Sequence, residues 1–126
     1  MFPKFLIRKM YEKESLQKTD DGFQFIVKNS IANGNVVEVF HLFFNDQEIP
    51  FDKITIKNET QEIQASQITP STPIELKKGV NTIFSCVHTD ASNFSEQEVK
   101  VVMKFKVQVR DSNMTIDFDF KDILRN

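Results

Sequence analysis

Two alternating segments near the C-terminus constrain the fold of this chain more than any other feature. From Val99 to Arg110, apolar side chains alternate with a set of lysine, glutamine and arginine that also includes Val102. From Met114 to Phe120, apolar side chains alternate with threonine and aspartate. A period of two places alternate side chains on opposite faces of a β-strand. Two such runs joined by a short turn predict an antiparallel hairpin with one buried face and one charged face.

The charges on the polar faces of these two strands predict a register for the hairpin. A two-residue loop at Asp111-Ser112 aligns lysines of the first strand with aspartates of the second. A slip of one residue would place Phe105 opposite an aspartate. The hydrophobic pattern therefore excludes every register that is shifted by an odd number of residues. The predicted cross-strand pairs are Lys106 with Asp117 and Lys104 with Asp119.

The rest of the chain also has the character of a β protein. It contains thirteen phenylalanines and no tryptophan, and aromatic and β-branched residues favour pleated sheets. Asp21-Gly22 and Asn33-Gly34 have the composition of type I′ hairpin turns. Further strand candidates are a short run from Leu16, then Phe23–Val27, Val36–Phe44, Lys53–Lys57, Glu62–Ile68, Pro73–Leu76 and Asn81–His88.

These strands predict an all-β fold. We expect residues 1–126 to form a single antiparallel β-sandwich domain, immunoglobulin-like or jelly-roll-like, with a partly closed β-barrel as the alternative. A short N-terminal helix between Pro3 and Glu14 is also expected, because helical spacing groups several apolar side chains there on one face. These side chains are Phe2, Phe5, Leu6 and Met10.

Charge and cysteine content narrow the class of protein. The formal net charge is −2 and the charged residues are interspersed, so we expect no nucleic-acid partner. No apolar run is long enough to cross a bilayer, so no membrane association is expected. The N-terminus is too charged for a secretory signal, and one cysteine cannot form an intramolecular disulfide. The sequence predicts a soluble cytoplasmic protein.

Chemistry-bearing residues are few. Cys86 and His88 lie two apart on a strand and would share a face, but His41 is the only other imidazole and there is no second cysteine. Three glycines cannot supply a phosphate-binding loop or a dinucleotide fingerprint. We therefore predict no catalytic residue, no cofactor and no metal.

The run Val36–Phe44 differs from a strand that is wetted on one side, because both of its faces are largely apolar. One face would carry Phe40, Leu42 and Phe44, which are the candidate interface residues. Either the N-terminal segment or a partner chain must cover this face. An apolar lining for a small hydrophobic ligand is a third possibility.

A resemblance rests on residues of the first third of the chain. They are Met1-Phe2-Pro3-Lys4, Ser15-Leu16, Thr19, Asp21-Gly22-Phe23, Phe25, Lys28-Asn29 and Gly34. With these residues the chain resembles a family of small prokaryotic, largely archaeal proteins that often carry the transferred name hydroxymethylglutaryl-CoA reductase. The resemblance implies an all-β domain and supplies no catalytic residue. A genuine reductase needs a CoA site, a nicotinamide-binding domain and a Glu, Lys, Asp and His constellation, so no reductase activity is expected of this chain.

Three functions follow as hypotheses. The favoured one is a non-catalytic interaction or assembly module that presents an apolar strand surface to another copy of itself, as a homo-oligomer, or to a different protein. The alternative is an enzyme or accessory protein of acyl-CoA metabolism, in the hydroxymethylglutaryl-CoA and isoprenoid branch. The third is a carrier of a small hydrophobic ligand.

Overall fold

The computed structural model describes residues 3–126, and in this range the chain forms two antiparallel β-sheets around a common hydrophobic core. The sheets do not close into a barrel, so the sandwich prediction is confirmed over its alternative. The elements are α1 (Lys4–Arg8), β1 (Gln17–Lys18), β2 (Gly22–Lys28), β3 (Gly34–Phe44), β4 (Gln47–Glu48), β5 (Ile54–Lys57), β6 (Glu62–Gln64), β7 (Ile74–Leu76), β8 (Asn81–Val87), β9 (Glu98–Val109) and β10 (Ser112–Ile123), with short 3-10 turns at Phe51–Lys53, Ala65–Gln67 and Thr89–Phe94.

The two sheets divide the strands by long-range pairing. Sheet A has the order β1-β2-β8-β5-β6, and sheet B has the order β10-β9-β3-β4, with β7 also paired to β3. The core between them is rich in phenylalanine. The rings of Phe23 in sheet A and Phe44 in sheet B stack with their centroids 4.5 Å apart. Burial of such large apolar surfaces is the main source of stability for a fold of this kind.

The C-terminal hairpin forms as expected but with a different register. β9 and β10 pair along their whole length, and the loop is Arg110-Asp111, one position earlier than predicted. Arg110 takes a left-handed backbone (φ 57°), so the turn decides the register among those that the alternation allows. Phe105 faces a core residue, as expected. The predicted pairs of Lys106 with Asp117 and Lys104 with Asp119 are wrong: Lys104 lies opposite Asp117, Lys106 opposite Thr115 and Val102 opposite Asp119.

The two glycine turn signals have different outcomes. β1 and β2 do form a small hairpin, but the backbone of Gly22 is not left-handed, so a type I′ turn is not the reason for this glycine. A Cβ at Gly22 would instead overlap the carbonyl oxygen of Cys86 on β8 and lie 2.7 Å from the backbone nitrogen of His88. The Asn33-Gly34 prediction is wrong, because β2 and β3 belong to different sheets. A local turn signal cannot specify which distant strand becomes the partner.

The N-terminal segment covers one edge of the sandwich. The predicted helix forms but ends at Arg8. After it, the backbones of Met10 and Glu12 hydrogen-bond with β2 along the edge of sheet A. The helix buries Ile7 and leaves Phe5 61% exposed, so the predicted apolar face is wrong for Phe5. Docking against β10 sets the orientation of so short a helix. Phe2, also assigned to that face, lies outside the described residues.

The C-terminal tail covers the same side of the molecule. The backbone N–H of Lys18 donates to the carbonyl oxygen of Arg125 at 2.6 Å, and Gln17 and Arg125 form a parallel bridge. β1 therefore has a backbone partner on its outer edge. None of the helical segments in residues 3–126 has the length and apolar character needed to span a bilayer.

Candidate interaction surface

Two β-bulges in β3 decide which of its side chains reach the surface. Val36 pairs with Val107 and Glu38 with Lys106, so Val37 is an extra residue, and a second shift makes Phe40 an extra residue before His41. A bulge adds one residue to one strand and changes which side chains point to which face. The period of two therefore fails twice between Val36 and His41.

The three candidate interface residues do not share a face. Leu42 and Phe44 are 0% exposed and belong to the core, where the ring of Phe44 stacks on that of Phe23 in sheet A. Phe40 is half-buried, and the ammonium groups of Lys104 and Lys106 lie over its ring on the outside of sheet B. Of the three candidates, the structure thus leaves Phe40 available to another chain. Leu42 and Phe44 are buried within the chain itself, so their burial needs no partner chain.

The outer surface around Phe40 is the candidate interaction surface. Its basic side chains pack on the aromatic ring: the ammonium nitrogens of Lys104 and Lys106 each lie 5.7 Å from the Phe40 centroid. Cation–π attraction favours this arrangement, and the methylene groups of the lysines cover apolar surface. Lys106 also pairs with Glu38 at 3.5 Å. We call this surface the β3–β9 face, and it comprises Glu38, Phe40, His41, Phe43, Val102, Lys104 and Lys106.

A second apolar group lies next to Phe40 on the same face. Phe43 is paired across the strands with Val102, and its ring centroid is 4.9 Å from that of His41. All three side chains are half-buried. Aromatic residues surrounded by polar ones are typical of the centre of a protein contact.

The sequence contained a signal for this second group. On β9 the outward positions form a lysine series, Lys100, Lys104 and Lys106, which Val102 interrupts. An apolar residue among these polar positions marks Val102 as a candidate surface residue, and its pairing adds Phe43.

An acidic strip on β10 borders the β3–β9 face. Asp117 is exposed and forms no ion pair with any residue from 3 to 126. Asp119 receives the Nε of Arg8 on α1 at 3.1 Å. A shallow groove of about 440 Å³ lies between α1 and this strip, and Val102 contributes to its lining.

Cys86 belongs to the core and His88 is half-buried beside it, so the two do not form an open site. Burial raises the pKa of the Cys86 thiol far above its usual range, which disfavours the thiolate that a nucleophile needs. The Nε2 of His88 is buried without a hydrogen-bond partner among residues 3–126. The imidazole lies edge-on to Phe44, at 5.3 Å between centroids. No group of three or more His, Cys, Asp and Glu side chains in this range could hold a metal ion.

A hydrogen-bonded group around Tyr11 and Asp122 joins the two ends of the chain. The hydroxyl of Tyr11 donates to Asp122 at 2.6 Å and accepts the N–H of Leu16 at 3.0 Å. Burial and the bond to Asp122 raise the pKa of Tyr11 to about 12. Burial acts to raise the pKa of Asp122, but hydrogen bonds from Tyr11, from two backbone N–H groups and from Arg125 outweigh it and hold this pKa below its ordinary value. These groups satisfy one another and form a structural link.

The space inside the sandwich bears on ligand binding. An apolar cleft opens at the end of the two sheets near Met10 and Met114, with a volume of about 30 Å³. Ligand pockets usually measure roughly 300 to 1,000 Å³, and 30 Å³ is about the share of one water molecule. The cleft does not have the size of a carrier cavity.

The fold, with this half-buried outer face, defines an all-β sandwich with a candidate docking surface. Residues 6–124 match the family model described as hydroxymethylglutaryl-CoA reductase, N-terminal domain. The match covers nearly the whole chain, so the chain belongs to this family, and the resemblance seen in the first third is confirmed. A search of the curated proteins gave no match.

Proposed function

We propose that this chain is a non-catalytic interaction module that binds another protein chain through the β3–β9 face. One observation carries the proposal: Phe40, Phe43 and Val102 are half-buried on the outside of sheet B, where a sheet face in contact with water alone would be polar. The lysines beside them supply the polar border that protein contacts usually have.

The proposal of a non-catalytic role rests on what the reactive groups already do. The thiol of Cys86 is buried with a raised pKa. Tyr11 and Asp122 bond to each other and to backbone groups. Groups that serve the fold in this way are poorly placed to exchange protons with a substrate.

A second candidate function follows from the family match. The family is described as the N-terminal domain of hydroxymethylglutaryl-CoA reductase. We infer that the module acts as an accessory part of that enzyme and that a reductase catalytic chain is a candidate partner. In this second proposal the protein serves acyl-CoA metabolism without carrying out the reductase reaction itself.

Two matched glutamate substitutions test the proposed surface. Phe40→Glu places a carboxylate beneath two lysines on sheet B, and Ile83→Glu places one on the outside of sheet A, where Ile83 is half-buried and pairs with Lys57. Both changes are compatible with folding, because each new charge has a lysine beside it. Only the first alters the proposed contact.

The measurement is binding of the purified chain to itself, by sedimentation, and to a purified reductase catalytic chain of the same organism, by titration calorimetry. We expect the wild type and Ile83→Glu to bind at least one of these partners and Phe40→Glu to lose that binding. Equal binding by all three proteins, or no binding by the wild type to either partner, would refute the proposal.

A further inference from the structure

We infer that the β3–β9 face binds a second copy of this chain in a two-fold contact, with Lys104 of each copy facing Asp117 of the other. The inference rests on the proposed function and names the partner for the same surface. It is carried by the arrangement of charges on β9 and β10.

Side chains of opposite charge lie on two neighbouring strands of sheet B. The outward side chains of β9 include lysines, and those of β10 include Asp117 and Asp119. Lys104 is directly opposite Asp117 in the register, yet the two form no ion pair, since the ammonium of Lys104 lies over Phe40. Asp117 has no charged partner within residues 3–126. Neither charge forms an ion pair within residues 3–126, and both lie on the outer face of sheet B.

A two-fold axis makes the charges on β9 and β10 complementary to those of a second copy. A two-fold axis parallel to the strands and lying between β9 and β10 places β9 of one copy over β10 of the other at the same height. Lys104 then meets Asp117 of the second copy, and the pair occurs twice, as in any isologous contact. An axis centred on β9 would instead place Lys104 against its own copy, and an axis centred on β10 would do so for Asp117. Like charges disfavour both alternatives.

The same axis accounts for the most exposed large apolar residue that the structure describes. α1 lies against β10 and is joined to it by Arg8 and Asp119. The rotation brings this side of one copy over β3 of the other, where Phe40 and Phe43 are half-buried. Phe5 on α1 is 61% exposed and would pack at that position. The contact thus combines two ion pairs near the axis with an aromatic cluster on each flank.

Charge reversal tests the pairing directly. We expect the wild-type chain to sediment as a dimer, and Lys104→Asp and Asp117→Lys each to weaken self-association by about tenfold or more, because each single change makes two like-charge contacts. An equimolar mixture of the two variants should form a heterodimer. In it, the aspartate introduced in one variant faces the lysine introduced in the other, and the native Asp117 of the first faces the native Lys104 of the second. Unchanged far-UV circular dichroism shows that both variants are folded.

Three results would overturn the inference: a monomeric wild type, a single variant that dimerises as well as the wild type, or a mixture that stays monomeric. Other results distinguish failure of this inference from failure of the proposed function. If the wild type is monomeric but binds the reductase catalytic chain through Phe40, the surface is correct and the second copy is wrong. If Phe40→Glu changes no binding at all, the surface itself is wrong.

Discussion

Tyr11 and Asp122 are 111 residues apart in the chain, and their hydroxyl and carboxylate oxygens are 2.6 Å apart in the fold. Their hydrogen bond joins the segment after α1 to the last strand of sheet B. Tyr11 also stacks on Phe120 with ring centroids 3.7 Å apart. The bond therefore fixes the N-terminal segment where it covers the side of the sandwich.

This link makes stability depend on pH in a defined direction. The pKa of Asp122 is lower in the folded chain than in the unfolded one, so its contribution is present above the ordinary aspartate pKa and is lost as the pH falls through the folded value. We expect Asp122→Asn to be less stable than the wild type at pH 7 and to lose less stability between pH 5 and pH 2. Urea unfolding across this range is the measurement. If the free energy of unfolding changes with pH in the same way in both proteins, the lowered pKa of Asp122 is contradicted.

Tyr11 makes stability depend on pH in a second, alkaline range. Its pKa is raised to about 12, so its contribution is complete below the unfolded value of 10 and is lost as the pH rises through about 12. Tyr11→Phe removes the bond to a charged group and leaves the N–H of Leu16 without its acceptor, at a cost of about 1.5 to 3 kcal/mol near neutral pH. Above pH 10 the wild type should lose part of this advantage. If the free energies of unfolding of the wild type and Tyr11→Phe differ by a constant amount from pH 8 to pH 12, the hydroxyl does not titrate as stated.

The bulge at Phe40 predicts opposite results for two nearby glutamate substitutions. Leu42→Glu buries a carboxylate in the core without a partner and should prevent stable folding. Phe40→Glu places the same group on the surface beneath Lys104 and Lys106 and should leave a folded protein. Thermal unfolding followed by circular dichroism compares them. A folded Leu42→Glu protein would mean that the facing of β3 is wrong.

Gly22 lies where β2 passes close to the backbone of β8. Gly22→Ala should destabilise the fold by about 2 kcal/mol or more, because the new methyl group would overlap the carbonyl oxygen of Cys86 and neither backbone can move away cheaply. Gly79→Asn is the control for backbone strain without overlap, since Gly79 has a left-handed φ of 85°, which asparagine adopts more readily than most residues, and open space around it. Chemical denaturation of both variants should place Gly22→Ala well below the control; similar midpoints would argue against the close approach.

The buried Nε2 of His88 predicts a stabilising substitution. This nitrogen has no hydrogen-bond partner among residues 3–126 and lies beside aromatic rings. His88→Phe removes the unsatisfied polar atom and keeps a planar aromatic ring, slightly larger than imidazole, at this place. It should raise the free energy of unfolding by about 1 kcal/mol. Differential scanning calorimetry measures the shift. A lower melting temperature would indicate that His88 has a partner which the substitution removes.

The sequence by itself determined the class of fold and the facing of its clearest strands. In β9 and β10 the alternation of apolar and charged residues is local information, and a period of two leaves one choice of buried face. The structure follows it: Phe105 and Phe118 are in the core and Lys104 is outside. The resemblance in the first third of the chain likewise pointed to the family that the whole chain matches.

Tertiary structure decided which strands pair and which side chains reach the surface. β2 pairs with β8 instead of β3, because packing of the two sheets selects partners that lie far apart in the chain. The left-handed turn at Arg110 selected one register among those that the alternation allowed. The bulges in β3 separated Phe40 from Leu42 and Phe44, and no local pattern marks a bulge, since it arises where two strands must adjust to a common core.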